Sequence, residues 1–430
     1  MTCTPYAVAQ ATTPKPAKED VLDPSSAPDT KYQLTPSLSY GATAEIAGER
    51  GLDFDLDRAR DDRFNILEPE IEFALAYQPR PGFLGFLNFE ISQEFALQEP
   101  IKEKRSLGIA LDRAYVLFND NLLGRPLSAQ IGRQKFDDER EWLFDEELDA
   151  VRAYYRFPNL LLEASAGRLN LARRDLLNDE RSERRIDYLV RGTSAITDEA
   201  IFSFYGFMRH DRRRDVAERE SPIFLGLHSS GDIGENIEYW MELAHVRGRS
   251  GSQKIRAYGV DLGGSYEFKK LPMELSLTLG YAFGTGDDDP NDGIDRNFRQ
   301  TGLHDNEARF NGLAKFKYYG ELFDPELSNM SILTAAIGVR PTKRTSIDLV
   351  YHRYAQHKAS DSIRDSALAA DPSGLSRKLG SEIDVVLGYR KREGRKASAL
   401  LTLGQFDPGP AFAADAKKSL FVRFEVKFEF

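Results

Sequence analysis

Arginines that recur on one face of alternating segments are the residues best suited to chemistry in this chain. In the segment 148–157, LDAVRAYYRF, the apolar face consists of Val151, Ala153, Tyr155 and Phe157, so Arg152 and Arg156 fall together on the opposite face. A guanidinium group is planar, always charged and able to hold a carboxylate through two hydrogen bonds. Two such groups on one face predict a surface that binds carboxylates or similar anions.

Further charged residues follow the same rule. In the segment 308–319, ARFNGLAKFKYY, the apolar face carries Phe310, Phe316 and Tyr318, and we expect that face to be the outward one. We apply the same parity to this segment, to the segment 381–392 (SEIDVVLGYRKR) and to the residues around 340 and 423. The opposite, inward face then carries Arg309, Lys315, Lys317, Arg340, Asp384, Arg390, Arg392 and Arg423.

The segments that position these residues are predicted to be strands. EIEFALAY (70–77), MELSLTLGYAFG (273–284) and FVRFEVKFEF (421–430) each alternate apolar residues with polar or small ones. A single strand of this kind fits two settings. Its apolar face either packs on the core of a soluble sandwich, or it meets lipid while the polar face meets a wet lumen.

The connections between the strands favour the second setting. Short turns such as 79–82 (PRPG) and 392–396 (REGRK) alternate with long polar connections such as 171–185 and 285–306. Outer-membrane barrels have short periplasmic turns and long extracellular loops, whereas a sandwich has no reason to sort its connections. We therefore predict an all-β fold, a single transmembrane antiparallel β-barrel. The pattern yields roughly nineteen strands, and because such barrels have an even number, we expect a miscount within 296–330.

Composition agrees with this fold and narrows the function. Charged residues make up 29% of the 430 positions, and no run of apolar residues is long enough for a membrane helix. The 27 Phe and 18 Tyr suit strands and interfacial girdles. A formal net charge of −10 argues against nucleic acid as a partner. Cys3 is the only cysteine, so no disulfide framework is expected.

Enzymatic and metal-binding interpretations have less support. Asp138 and Glu141 have the residue types of a glycosidase pair, but acid-rich turns are far commoner than active sites. In GDDDPNDG (286–293) the acids match the first spacings of a calcium loop, yet Asp292 stands where such a loop needs glycine. We expect no enzyme, no cofactor and no metal site, and we expect the acidic loop to be solvated.

The N-terminal residues differ from the rest. Ala9-Gln10-Ala11 has the A-x-A pattern of a signal-peptidase site, and a proline-rich stretch follows it. We therefore expect an exported protein in which residues 1–30 are a residual signal and flexible segment and residues 31–430 form the barrel.

Four segments resemble the bacterial outer-membrane alginate export porin family. They are 131–157 (IGRQKFDDEREWLFDEELDAVRAYYRF), 280–293, 298–312 and 318–330, in the order that the family has them. The resemblance implies an 18-stranded barrel and passive export of alginate or a similar anionic uronate exopolysaccharide through an arginine-lined pore. It also adds Arg133, in the GRQ stretch, to the candidates for the pore lining. Arg133 has outward parity, so we expect Gly132 either to form a bulge that re-aims it or to place it beyond the lipid.

The expected partners follow from this interpretation. They are an anionic polysaccharide, outer-membrane lipid, the barrel-assembly machinery that reads a terminal residue such as Phe430, and periplasmic secretion-complex proteins; the barrel itself is expected to be a monomer. Two alternatives remain. One is a selective porin for uptake of small carboxylates or anionic oligosaccharides, and the other is a soluble β-sandwich that hydrolyses or binds carbohydrate.

Overall fold

The computed structural model describes residues 32–57, 62–98, 102–119, 124–177, 184–197, 199–393 and 396–430. The predicted signal segment at residues 1–30 lies outside these described residues. Among the residues that are described, no helix is long and apolar enough to cross a membrane. A single turn of 3-10 helix occurs at Pro272–Glu274.

Strands dominate the structure. In chain order they are β1 (Tyr32–Thr35), β2 (Leu38–Leu52), β3 (Phe64–Tyr77), β4 (Phe83–Gln98), β5 (Lys102–Phe118), β6 (Leu127–Asp137), β7 (Asp145–Arg156), β8 (Leu161–Arg168), β9 (Arg185–Thr197), β10 (Ala200–Asp211), β11 (Glu220–Ile233), β12 (Ile237–Ser250), β13 (Gln253–Glu267), β14 (Ser276–Gly284), β15 (Ile294–Asp295), β16 (Glu307–Ala308), β17 (Phe316–Lys317), β18 (Met330–Thr342), β19 (Thr345–Gln356), β20 (Lys378–Lys391), β21 (Lys396–Pro408) and β22 (Ser419–Glu429).

Eighteen of these strands, β2–β14 and β18–β22, form one closed antiparallel barrel. The last strand closes on the first, with β22 paired to β2 from Thr43↔Glu429 to Leu52↔Leu420. The prediction of a single transmembrane antiparallel barrel with about 18 strands is therefore confirmed. The expected miscount is also found, because the chain between β14 and β18 contributes only the two-residue strands β15, β16 and β17 and no strand that crosses the wall.

Connections are sorted between the two ends of the barrel. One end, here called the turn end, carries short links such as 234–236 and 343–344, together with the first residues of β2 and the last of β22. The opposite loop end carries long links such as 285–329 and 357–377. In barrels of this kind the turn end faces the periplasm.

The outer wall is apolar, as the alternation predicts. Phe73 is 48% exposed, Leu225 59% and Leu279 66%, and each alternates with residues that face inward. In a closed barrel an outward row of this kind meets hydrocarbon.

The lumen contains an apolar core in addition to the apolar outer wall. Residues 285–329, here called the inner segment, fold into the barrel, and Phe298 and Phe323 within it have no exposed surface. Trp142, from the connection between β6 and β7, stacks on Phe298 with ring centres 5.9 Å apart. Phe310 stacks on the inward-facing Trp240 of β12 at 5.9 Å. These contacts extend the core from the inner segment to the wall.

One prediction about this region is wrong. Phe310, Phe316 and Tyr318 do not face lipid but are 1–5% exposed within the core of the lumen. Alternation shows which residues share a face of a strand, but it does not show which surroundings that face meets. A hairpin packed inside a barrel has the same pattern as a strand in its wall.

Polar contacts anchor the inner segment to the wall. Glu382 of β20 accepts hydrogen bonds from the backbone N–H groups of Leu322 (2.7 Å) and Phe323 (3.0 Å). On the opposite side, the guanidinium of Arg209 in β10 pairs with Asp187 and donates to the carbonyl oxygen of Thr301 at 2.7 Å. Because these donors and acceptors are buried, the bonds fix the position of the segment.

The outward placement of Leu279 predicts a large difference between two arginine substitutions. Leu279→Arg puts a charge on the lipid face of β14 and is expected to cost about 2–4 kcal/mol of unfolding free energy. Leu375→Arg, in the connection between β19 and β20 where Leu375 is 90% exposed, should cost almost nothing. Urea unfolding of the barrel in phospholipid vesicles measures both. Equal costs for the two variants would contradict the assignment of the outer wall to lipid.

Candidate functional site

A water-accessible cavity of about 530 Å³ lies at the turn end, between the inner segment and strands β20, β21 and β22. We call this cavity the basic vestibule. Its acidic lining consists of Glu307, Glu425 and Glu429. Its basic lining is larger and consists of Arg309, Lys315, Arg390, Lys391, Arg392, Lys396, Arg423 and Lys427.

The vestibule lies where the end of strand β20 approaches the hairpin formed by β16 and β17. Strand β20 keeps Glu382, Asp384 and Val386 buried on its inner side and reaches the turn end at Arg390. The hairpin formed by β16 and β17 pairs Glu307 with Lys317 and turns Arg309 toward the same space. Residues far apart in sequence therefore share one cavity.

Positive charge accumulates in the vestibule without full compensation. Burial within the lumen, followed by repulsion from Arg390, Arg392 and Arg340, lowers the pKa of the Arg309 guanidinium to about 10. Among the residues that the structure describes, Arg309, Arg390 and Arg392 form no ion pair with a carboxylate. A cluster of guanidinium groups in a confined, wet space attracts anions.

Arg340 and Arg423 border this cluster but are engaged by the protein. Arg340 donates to the carbonyl oxygen of Asn311 at 2.7 Å and lies 3.3 Å from a carboxylate oxygen of Glu274. Arg423 lies 3.2 Å from Glu307 and is close to three other glutamates. Both arginines therefore hold the inner segment as well as contributing charge.

Lys315 and Lys317 are also paired. Lys315 contacts Glu141, and Lys317 contacts Asp305 and lies 3.4 Å from Asp324. Glu141 and Asp305 belong, with Asp145, to a group of three carboxylates whose oxygen atoms lie within 4.8 Å of one another. Asp145 in turn is 2.7 Å from Lys135. Each of the three carboxylates is thus paired with an ammonium group, which competes with any cation.

Arg152 and Arg156 lie on the inner face of β7, but neither lines the basic vestibule. Arg152 is 7% exposed, and its guanidinium donates to Glu163 at 2.8 Å and to the carbonyl oxygen of Lys135 at 2.9 Å. Glu163 also accepts from Arg191 at 2.8 Å. Arg156 is half-buried at the turn end of the same strand. Because the Arg152 guanidinium already makes these hydrogen bonds, it has little capacity left to bind a solute.

Arg133 lies outside the lumen. It shares parity with the 46% exposed Ile131 and pairs with Asp149 on the neighbouring strand at 2.8 Å. The chain beyond β8 covers this pair, and Arg133 donates to the carbonyl oxygen of Ala172 at 2.5 Å. Of the two explanations expected for its parity, the geometry agrees with a position beyond the lipid. Arg133 therefore does not line the pore in this structure.

Asp384 is buried beneath the inner segment and does not reach the vestibule. It has no exposed surface, and the closest basic atom is Nε2 of His352 at 3.6 Å. Both carboxylate oxygens of Asp384 lack a hydrogen-bond partner among the described residues. The parity rule placed Asp384 on the inner face, but it gave no indication that the inner segment would cover it.

An acidic sector of the inner wall was missed by the sequence analysis. Glu45, Glu70, Glu72 and Glu90 on β2–β4 are half-buried and face inward. Lys427 bridges to this sector, 3.0 Å from Glu45 and 3.7 Å from Glu72. The parity that selected the arginines applies equally to these glutamates, so the signal was present in the sequence.

Basic neighbours pair with three of the four aspartates in the acidic loop at 286–293. Arg296 lies 3.3 Å from Asp287 and 2.6 Å from Asp292, and Lys358 lies 2.7 Å from Asp288. Hydrogen bonds from these cations lower the pKa of both Asp288 and Asp292. The loop is thus a network of ion pairs at the loop end.

A family model described as alginate export matches residues 37–424. The chain belongs to the alginate export family. Alginate production protein AlgE of Azotobacter vinelandii is 25% identical over 182 residues, which are 37% of this chain and 36% of that protein. The matched part thus spans about a third of this relative. The family assignment identifies an outer-membrane porin of a Gram-negative bacterium, and it gives the protein no enzymatic activity.

Solved structures support the same architecture. The outer membrane protein OprD from Pseudomonas aeruginosa superposes with a TM-score of 0.59 at 11% identity, over 94% of this chain and 95% of that one. OccD3 (OpdP) from the same organism gives 0.58 at 13% identity, over 96% and 97%. At such low identity the likeness establishes the fold alone.

Docking of the inner segment is expected to weaken as pH rises. Burial is the main cause that raises the pKa of Glu321 to about 8, of Glu141 to about 7 and of Asp324 to about 6. The docked form therefore retains protons that the undocked form releases, so docking is strongest below about pH 4 and is lost progressively up to about pH 8. Hydrogen exchange of residues 285–329 at pH 5 and pH 8.5 should show faster exchange at the higher pH.

The triple variant Glu141→Gln, Glu321→Gln and Asp324→Asn provides the matched test, because it removes the titrating groups and keeps side-chain volume. Its exchange, corrected for the intrinsic pH dependence, should differ little between the two pH values. A variant that retained the full pH response would contradict this assignment.

Proposed function

We propose that this barrel exports an acidic polysaccharide of the uronate class passively from the periplasm, with the basic vestibule as its entry site. The observation that carries the proposal is the group of Arg309, Arg390 and Arg392, which face one wet cavity at the turn end without a carboxylate partner among the described residues. A polymer with one carboxylate per sugar would meet this cavity first.

The chemistry of the vestibule suits a chain that must move. Guanidinium groups bind carboxylates in a defined geometry, and several of them in one cavity offer a moving chain successive sites. Glu307, Glu425 and Glu429 line the same cavity and compete for the same cations. Competition keeps each contact weak, so that a bound sugar is released to the next site.

Export in this proposal also requires the inner segment to shift. Phe298, Leu322 and Phe323 have no exposed surface where they pack against the wall, which leaves no space for a sugar ring at that level. The hydrogen bonds from Leu322 and Phe323 to Glu382 must then break and re-form. Periplasmic secretion proteins, acting at the turn end, and the barrel-assembly machinery are the partners that this function requires.

The filled lumen favours one alternative, a selective porin for uptake of small carboxylates or anionic oligosaccharides. A small solute needs less displacement of the inner segment than a polymer does. The same vestibule would then serve as an exit site with affinity for single carboxylates.

Current block separates these functions. Oligouronates added at the turn end of the barrel in a planar bilayer should block the current. The variant Arg309→Gln, Arg390→Gln and Arg392→Gln should need about tenfold more oligouronate for half-block, a loss of about 1.4 kcal/mol. Arg80→Gln, an exposed arginine in the turn between β3 and β4, is the control and should behave as the parent chain does.

Two outcomes decide against export. Unchanged block in the triple variant would show that the vestibule is not the binding site. Block by monomeric uronates as strong as block by oligomers would favour the uptake porin.

A further inference from the structure

Four basic side chains face outward from the barrel at the loop end of β12 and β13. They are Arg247, Arg249, Lys254 and Arg256, and all four are exposed. The residues between them point into the barrel, since Val246, Ile255 and Ala257 are at most 1% exposed. We call these four residues the rim patch. The patch lies on the outer wall and is separated from the lumen by the sheet.

The arrangement within the rim patch is unfavourable by itself. Arg247 lies directly opposite Arg256, and Arg249 lies directly opposite Lys254 in the antiparallel register. Like charges in such cross-strand pairs are destabilising. Within the described part of the chain, none of the four forms an ion pair with a carboxylate, and Arg247 donates only to Nε2 of His245 at 2.9 Å. The described residues therefore supply no carboxylate that stabilises these pairs.

Apolar residues lie immediately below the patch on the same outer face. Tyr258, two residues after Arg256, is 53% exposed, and Leu262 farther along β13 is 40% exposed. On the adjacent strand β11, Leu225 is 59% exposed. Outward positions two residues apart on a strand are separated by about 7 Å. The rim patch thus lies where the hydrocarbon ends and lipid headgroups begin, on the extracellular side.

The connection between β12 and β13 keeps the patch at this level. Only Gly251 and Ser252 join the two strands, and Gly251 has a φ of 55°, which suits glycine in a tight turn. The neighbouring links at the loop end, 212–219 and 285–329, are longer. A long loop would extend into water, whereas this hairpin ends at the membrane surface.

Basic residues continue around the rim on the neighbouring strands. Arg184 and Arg212 are exposed, and the backbone N–H of Arg212 donates to the carbonyl oxygen of Arg184 at 2.8 Å. They stand at the loop end of β9 and β10, with His210 exposed just below them. Arg184 and Arg212 thus add positive charge at the loop end of β9 and β10.

We propose that the rim patch binds the phosphate groups of the glycolipid in the outer leaflet of the membrane. Guanidinium forks match the oxygen atoms of phosphate, and basic clusters beside a membrane surface bind anionic headgroups. A phosphate between Arg247 and Arg256 compensates both charges, and acyl chains attached to the same headgroup pack on Tyr258 and Leu225. The patch cannot serve a solute in the lumen, because its side chains point away from it.

The experiment uses the full barrel refolded in detergent without glycolipid. It is titrated with a diphosphorylated acylated disaccharide, with the same glycolipid lacking both phosphates, and with inorganic phosphate, and bound glycolipid is measured by native mass spectrometry. The variant Arg247→Gln, Arg249→Gln, Lys254→Gln and Arg256→Gln should bind the diphosphorylated glycolipid at least tenfold more weakly. The dephosphorylated glycolipid should bind the parent chain and the variant equally weakly.

A matched control removes four basic residues at the turn end, Arg80, Lys269, Lys270 and Lys343, and should bind as the parent chain does. Heat-modifiable migration on a gel reports whether each variant is folded. If the fourfold variant does not fold, the pairs Arg247→Gln with Arg256→Gln and Arg249→Gln with Lys254→Gln each replace it. Unchanged affinity in the folded variants, equal loss in the control, or displacement of the glycolipid by equimolar inorganic phosphate would overturn the proposal.

Discussion

The need to satisfy every backbone hydrogen bond in lipid determines this structure. Hydrocarbon offers no partner for an N–H or C=O group, so a sheet that crosses it must close, and the pairing of β22 with β2 accomplishes this. Closure assigns one face of every strand to lipid and the other to the lumen. The alternation of Val422, Phe424, Phe428 and Phe430 with charged residues is the visible consequence at the C-terminus.

A closed wall leaves an interior that the chain must fill or hydrate, and this chain does both. The inner segment brings an apolar core into the lumen, and inward charged residues are used to hold that core. Arg209 with Asp187, Arg152 with Glu163 and Glu382 with the backbone of residues 322 and 323 act in this way. Buried charges of this kind are costly unless they are paired, which explains why so many inward arginines have a carboxylate beside them.

The sequence pattern predicts the strands of the barrel wall correctly, but it does not predict the packing inside the lumen. Period-two alternation predicts a strand because neighbouring side chains must point to opposite faces, and it located the barrel and its closing strand correctly. It treated Phe310, Phe316 and Tyr318 as lipid-facing because a packed hairpin has the same period. Parity placed Arg133 outward, whereas likeness to the family placed it among the pore candidates; its side chain pairs with Asp149 outside the lumen, beneath the chain beyond β8. The error over the hairpin concerns contacts between residues far apart in sequence, which no local pattern contains, whereas for Arg133 the local parity agrees with the structure.

The distinction between paired and unpaired charge underlies both proposals. The chain as a whole is acidic, with a formal net charge of −10, so a basic residue can readily find a carboxylate. Arg423 does so with Glu307 of the inner segment, and Lys427 does so with Glu45, which lies directly opposite it on the adjacent strand β2. Among the described residues, Arg309 in the vestibule and Arg247 on the rim form no ion pair with a carboxylate, although both belong to groups of like charge that repel one another. Both clusters persist against repulsion and an acidic background, and this shared feature is the reason that we propose an anionic solute for one and a lipid headgroup for the other.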